Sequence, residues 1–149
     1  MRRILALTVL VALAAAAVAP AHAQMVSKKF RFKAGVPLEV GEDVGAGVRL
    51  DSITFTLPAE GEKGSFLHRT AGQAQAVVAI SNLSKESCKV GVAVALFDDQ
   101  GNLLGVASGG SVMKGIAALR QVGYSLVFDF VNRRIPEATS FQISVEIKP

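Results

Sequence analysis

Residues 141–148, Phe141-Gln142-Ile143-Ser144-Val145-Glu146-Ile147-Lys148, alternate apolar and polar side chains without a break. Successive side chains of a strand point to opposite faces, so the stretch reads as a strand with one face in a core and one in water. A helix needs apolar positions three and four apart, and here they are two apart. The same period places Val122, Tyr124, Leu126, Phe128 and Phe130 on one side, with Gly123, Ser125 and Asp129 opposite. The spacing predicts a second strand over 122–130, paired with the last.

Working upstream, 89–97 sets Val90, Val92, Val94 and Leu96 against Gly91, Ala93, Ala95 and Phe97, so both faces are apolar. That pattern predicts a central strand. Asp98-Asp99-Gln100-Gly101 supplies turn chemistry, after which 103–107 resumes an extended pattern, giving a β-hairpin. Earlier strands are expected over 29–34, 48–57 and 75–82, the last turning at Asn82-Leu83-Ser84. Glu39, Glu42 and Asp43, among Gly41, Gly45 and Gly47, read as an acidic, solvated loop. The glycines at 105, 109, 110 and 115 read as bends between strands, because they lack the lysine and strand-to-helix setting of a phosphate cradle. About seven short strands with frequent turns define an all-β chain folded as an immunoglobulin-like β-sandwich.

The start of the chain follows a different rule. Arg2 and Arg3 precede an uncharged apolar run over 4–19, which ends at Pro20-Ala21-His22-Ala23. This is the layout of a secretory signal peptide, with cleavage expected near Ala23. The run is shorter than the roughly 20 residues of a spanning helix. The expectation is one sandwich domain over 24–149 in the periplasm or secreted, without stable membrane insertion after cleavage.

Loss of Arg2 and Arg3 leaves 14 Lys and Arg against 12 Asp and Glu, a net charge of +2. A domain this close to neutral does not carry the dense basic surface that nucleic acid demands, so DNA and RNA are excluded as partners. Cys88 is the only cysteine, so an internal disulfide is impossible and the core must hold the fold. Its thiol reads as a half-buried strand residue, with a reactive or dimerising thiol as the alternative.

Catalytic and metal chemistry find little support. His68 is the only histidine beyond the leader, and no acid or nucleophile is tied to it by a motif. With Cys88, Met25 and Met113 it forms no ligand spacing, so no metal or cofactor is expected. Asp98, Asp99 and Asn102 lack the spacing of a calcium loop and read as a turn. The most informative charged stretch is Lys28, Lys29, Arg31 and Lys33, interleaved with Phe30 and Phe32. A strand here sets cations against aromatics, which guards an edge against aggregation or offers a contact surface to an anionic partner.

At the central hairpin, Val94-Ala95-Leu96-Phe97-Asp98 followed by Gly101 resembles the signature of FxLYD-type immunoglobulin-like domains of bacterial envelope proteins. Leu96 and Asp98 match the motif, Phe97 stands at its tyrosine, and Val94 stands at its first phenylalanine. Val77-Val78-Ala79-Ile80-Ser81-Asn82 resembles the strand and polar turn before it, and Val112-Met113-Lys114-Gly115 occupies the place of a Pro-Gly turn. The resemblance covers residues 73–147 and implies a noncatalytic module outside the cytoplasm. The expectation is therefore an interaction or accessory module whose partner is another envelope protein. A small-ligand binder with a gap between its sheets, or an enzyme whose residues converge only in the fold, are the alternatives.

Overall fold

The computed structural model describes residues 24–58, 73–129 and 134–148. Its strands are β1 (Gln24–Arg31), β2 (Leu38–Gly45), β3 (Val48–Thr56), β4 (Gln75–Asn82), β5 (Lys89–Phe97), β6 (Leu103–Gly110), β7 (Arg120–Val127) and β8 (Ser140–Lys148). A single 3-10 turn, Ile135–Glu137, precedes β8. The leader expected at 1–23, His68 and Phe130 lie outside the described residues.

The strands form two four-stranded antiparallel sheets, ordered β1-β8-β5-β6 and β2-β3-β4-β7. Their inner rows face each other, and the described chain is a β-sandwich. β5 is central, as its two apolar faces require. Val90, Val92, Val94 and Leu96 are buried inward, while Gly91, Ala93, Ala95 and Phe97 form a half-buried outer row. β8 keeps its alternation, with Phe141, Ile143, Val145 and Ile147 in the core.

Several expectations are corrected. Eight strands are present among the described residues rather than seven, because the acidic stretch from Leu38 is a strand, β2, and not a loop. Its side chains do alternate, with Leu38, Val40, Glu42 and Val44 on the inner row, but Glu42 stands where an apolar residue would complete the period, which hides the strand from a linear reading. β7 pairs with β4 in the opposite sheet, not with β8. The link after β6 crosses between sheets, and β8 then inserts between β1 and β5. β1 starts earlier than expected, since β8 offers partners as far as Ile147 opposite Gln24. It also ends earlier: Phe32 N–H donates to Thr139 O (2.9 Å), and Ala34 bridges Phe55 of the other sheet. Gly105, Gly109 and Gly110 lie within β6 rather than in bends.

The core is aliphatic through most of its length and aromatic at one end. Phe141 packs on Phe30 (centroids 5.3 Å apart) and Phe55 (4.9 Å), and Phe55 on Phe32 (4.8 Å). Such offset and tilted pairs add about 0.5–1.5 kcal/mol each beyond their area burial. Ile53, Ile80, Leu96, Leu126 and Phe128 fill the space between the sheets.

Candidate functional site

Antiparallel register gathers three connections at one end of the sandwich. They are the β2–β3 turn at 46–47, the β4–β5 link at 83–88 and the β6–β7 link at 111–119. The first residues of β1 and the last of β8 reach the same end, because Gln24 lies opposite Ile147 and Ile147 opposite Val90.

One buried side chain organises this end. Asn82 closes β4, is fully buried, and uses both ends of its amide. Its Nδ2 donates to the carbonyls of Glu86 (2.7 Å), Ile116 (3.0 Å) and Ala117 (3.2 Å). Its Oδ1 accepts from Ser84 N–H (3.0 Å) and Ser84 Oγ–H (2.7 Å). Backbone bonds complete the lattice: Leu83 N–H donates to Gly47 O (2.7 Å), Leu119 N–H to Ser84 O (3.2 Å), and Cys88 and Ile116 exchange both of theirs. The three connections thus behave as one braced unit.

The braced unit presents apolar side chains to solvent. Val112 is 89 % exposed, Met113 87 %, Leu119 71 % and Leu83 52 %. The first three are the most exposed large apolar side chains among the described residues. Scattered exposed leucines are ordinary, whereas apolar tips carried together on a braced frame are a feature that contact surfaces share. Leu119 adds a second sign, since it sits at φ +55°. The left-handed region costs an L-residue about 1–2 kcal/mol, which most proteins avoid by placing glycine there. Residues 83–89 and 111–120 also carry Lys85, Lys89, Lys114 and Arg120 against Glu86 alone. None of these four cations is ion-paired among the described residues.

A depression of about 420 Å³ opens beside Val112 and Lys89 and is floored by Gly91, Gly109 and Gly110. It is an open trough rather than an enclosed pocket, so it suits an extended surface better than a small molecule.

The four β1-region cations do not form one face. Lys28 shares the inward row with Phe30 and ion-pairs with Glu42 of β2 (2.7 Å), closing the sandwich along that side. Lys29 and Arg31 lie on the outer row, Lys29 over the Phe97 ring (5.1 Å to the centroid). Lys33 falls beyond the strand. This spread suits a protected edge.

The other candidates resolve into structural parts. Asp98 accepts from Gln100 N–H (3.0 Å), Asn102 N–H (2.7 Å) and Asn102 Nδ2 (2.9 Å), which is the turn its sequence suggests. The bond from the Asn102 side chain leads the causes that hold its carboxyl below the ordinary value. Cys88 is buried, and burial pushes its thiol up, away from the reactive thiolate.

Asp51 was not singled out by its sequence. It stands at a register shift in β3 and accepts from Arg49 Nε (2.6 Å), Ser81 Oγ (2.6 Å) and Gln121 Nε2 (2.9 Å). Burial raises its pKa, but bonds from Ser81, Gln121 and Arg49 together outweigh that and hold it below the ordinary value. A carboxylate so engaged clasps β3, β4 and β7; a general base needs a higher pKa and an open oxygen. The signal for it was a phase break: Val48 and Leu50 face inward, then Ile53 and Phe55, with Asp51 and Ser52 at the slip. Among the described residues no three His, Cys, Asp or Glu side chains group as a metal site.

In comparisons with known proteins, no family model matches the chain, and no curated protein is significantly similar to it.

Proposed function

We propose that this chain is an exported, noncatalytic β-sandwich acting as an interaction module of the bacterial cell envelope, with the Asn82-braced end as its docking surface. The observation that carries the reading is the coupling of a fully buried, fully bonded Asn82 to links that expose Val112, Met113 and Leu119. Preorganisation of this kind lowers the ordering cost of association. The leader-like residues 1–23 and the resemblance to FxLYD-type domains support the envelope setting.

The test is photocrosslinking in living cells. A photoreactive residue replacing Val112 or Met113 is expected to give a discrete adduct in the envelope fraction. The same residue at Val36, an exposed apolar position at the opposite end, is expected to give none. Adducts from Val36 alone, or full recovery of the chain from the cytoplasm, contradict the reading.

A further inference from the structure

We infer that the braced end docks on an anionic lipid surface, lying on the bilayer face without crossing it. The inference rests on the docking surface just proposed and names its partner.

Its first support is the arrangement of side chains. Val112 and Met113 lead directly into Lys114, Leu119 into Arg120, and Leu83 is followed by Lys85 and Lys89. Apolar tips beside cations suit the boundary between acyl chains and headgroups, where the tip enters and the cation meets phosphate. A protein-binding core is instead depleted in lysine. Four cations outnumber Glu86 of the links and Glu146 beside Lys89, so this end stays positive on a domain that is nearly neutral once the leader is removed.

Its second support is where the chain enters. The apolar run over 4–19 precedes β1 in the sequence, and β1 begins at this same end, with Gln24 opposite Ile147. The chain therefore enters the domain at the end that carries Val112, Met113 and Leu119. The third is backbone conformation: the bond from Leu119 N–H to Ser84 O holds this residue left-handed with its side chain exposed, so the brace itself presents the apolar tip. Among the described residues no helix is long and apolar enough to cross a membrane, so the contact proposed is interfacial.

The test is partition of the chain, purified from exporting cells, onto vesicles by sedimentation. Vesicles of phosphatidylcholine with about a quarter phosphatidylglycerol are compared with phosphatidylcholine alone; each cation near such a surface contributes about fivefold. Lys85→Gln, Lys89→Gln, Lys114→Gln and Arg120→Gln combined are expected to lower binding to the anionic vesicles at least about tenfold. Val112→Ser with Met113→Ser is expected to do the same on both kinds of vesicle. Lys29→Gln with Arg31→Gln is expected to change binding less than about twofold, because those cations lie along another strand. Circular dichroism confirms that each variant is folded.

Equal binding to both vesicle types, or a loss caused by the β1 pair instead, overturns the inference. So does the absence of vesicle binding when Val112 and Met113 crosslink to a protein in cells, an outcome that leaves the interaction module standing. The absence of both vesicle binding and crosslinks overturns both readings.

Discussion

Replacing Asn82 by alanine lowers stability by about 3 kcal/mol in urea denaturation. Asn82 is fully buried and takes part in five hydrogen bonds, and its removal takes from the Ala117 carbonyl and the Ser84 N–H the bonds they make to its amide. A buried polar group left without its partner costs about 1–3 kcal/mol, and a freshly opened space adds to this. Asn82→Asp is worse at neutral pH although it is nearly isosteric. The introduced carboxylate faces three carbonyl oxygens and has no proton to give them. Only its neutral form supplies a donor, so its pKa is raised in the folded state. A carboxyl with a raised folded pKa binds more protons folded than unfolded. The stability of this variant therefore falls as pH rises from about 4 toward neutrality. Both variants lying within about 1 kcal/mol of the parent contradicts the assignment of Asn82 as the brace.

Gly110→Ala is the second large effect, at about 3 kcal/mol or more. Gly110 adopts φ +143°, and an added Cβ meets the Val90 carbonyl and, at 2.9 Å, Gly91 Cα. Neither neighbour is a side chain that can swing away; both belong to β5, the central strand. Gly101→Ala separates this clash from backbone preference. Gly101 also has a positive φ, +83°, yet nothing lies within 4 Å of an added Cβ. Its cost is then the left-handed penalty alone, about 1 kcal/mol. Thermal denaturation of the pair gives the contrast directly, and equal losses remove the close-approach argument.

These two residues also show what was legible in the sequence. Strand identity in 89–97, 141–148 and most of 122–130 follows from period two, because each strand has one row in the core; β7 runs from Arg120 to Val127, two residues earlier at its start and ending before Phe128. Sheet membership does not follow. Nothing local to Tyr124 or Leu126 says that β7 faces β4 rather than β8, since both pairings bury the same side chains. β2 is hidden for a different reason: its inner row carries Glu42, the ion-pair partner of Lys28, between Val40 and Val44. The glycines of β6 were visible as a composition but not as a close approach, which depends on β5 and β7 in space.

The Asn82-braced end is less legible still. Asn82 was recognisable as a turn residue, yet its full burial depends on the 111–119 link returning to Cys88, a long-range contact. Val112 and Met113 looked like unremarkable turn residues in a glycine-rich stretch, and Leu119 carried no periodic signal. A local clue did exist: an apolar pair flanked by Ser111 and Lys114, between strands that already have their own core residues. Exposure is a property of the fold, so the clue gains meaning only after both sheets are placed. The β1 cations form a cluster in sequence, whereas register sends Lys28 to one face and Lys29 to the other.

Amide hydrogen exchange of the exported chain, alone and with its native envelope membranes, tests the docking surface most directly. Slower exchange confined to residues 83–88 and 111–119 on adding membranes is the predicted result. Protection confined to β1, or no change at either place, contradicts the account.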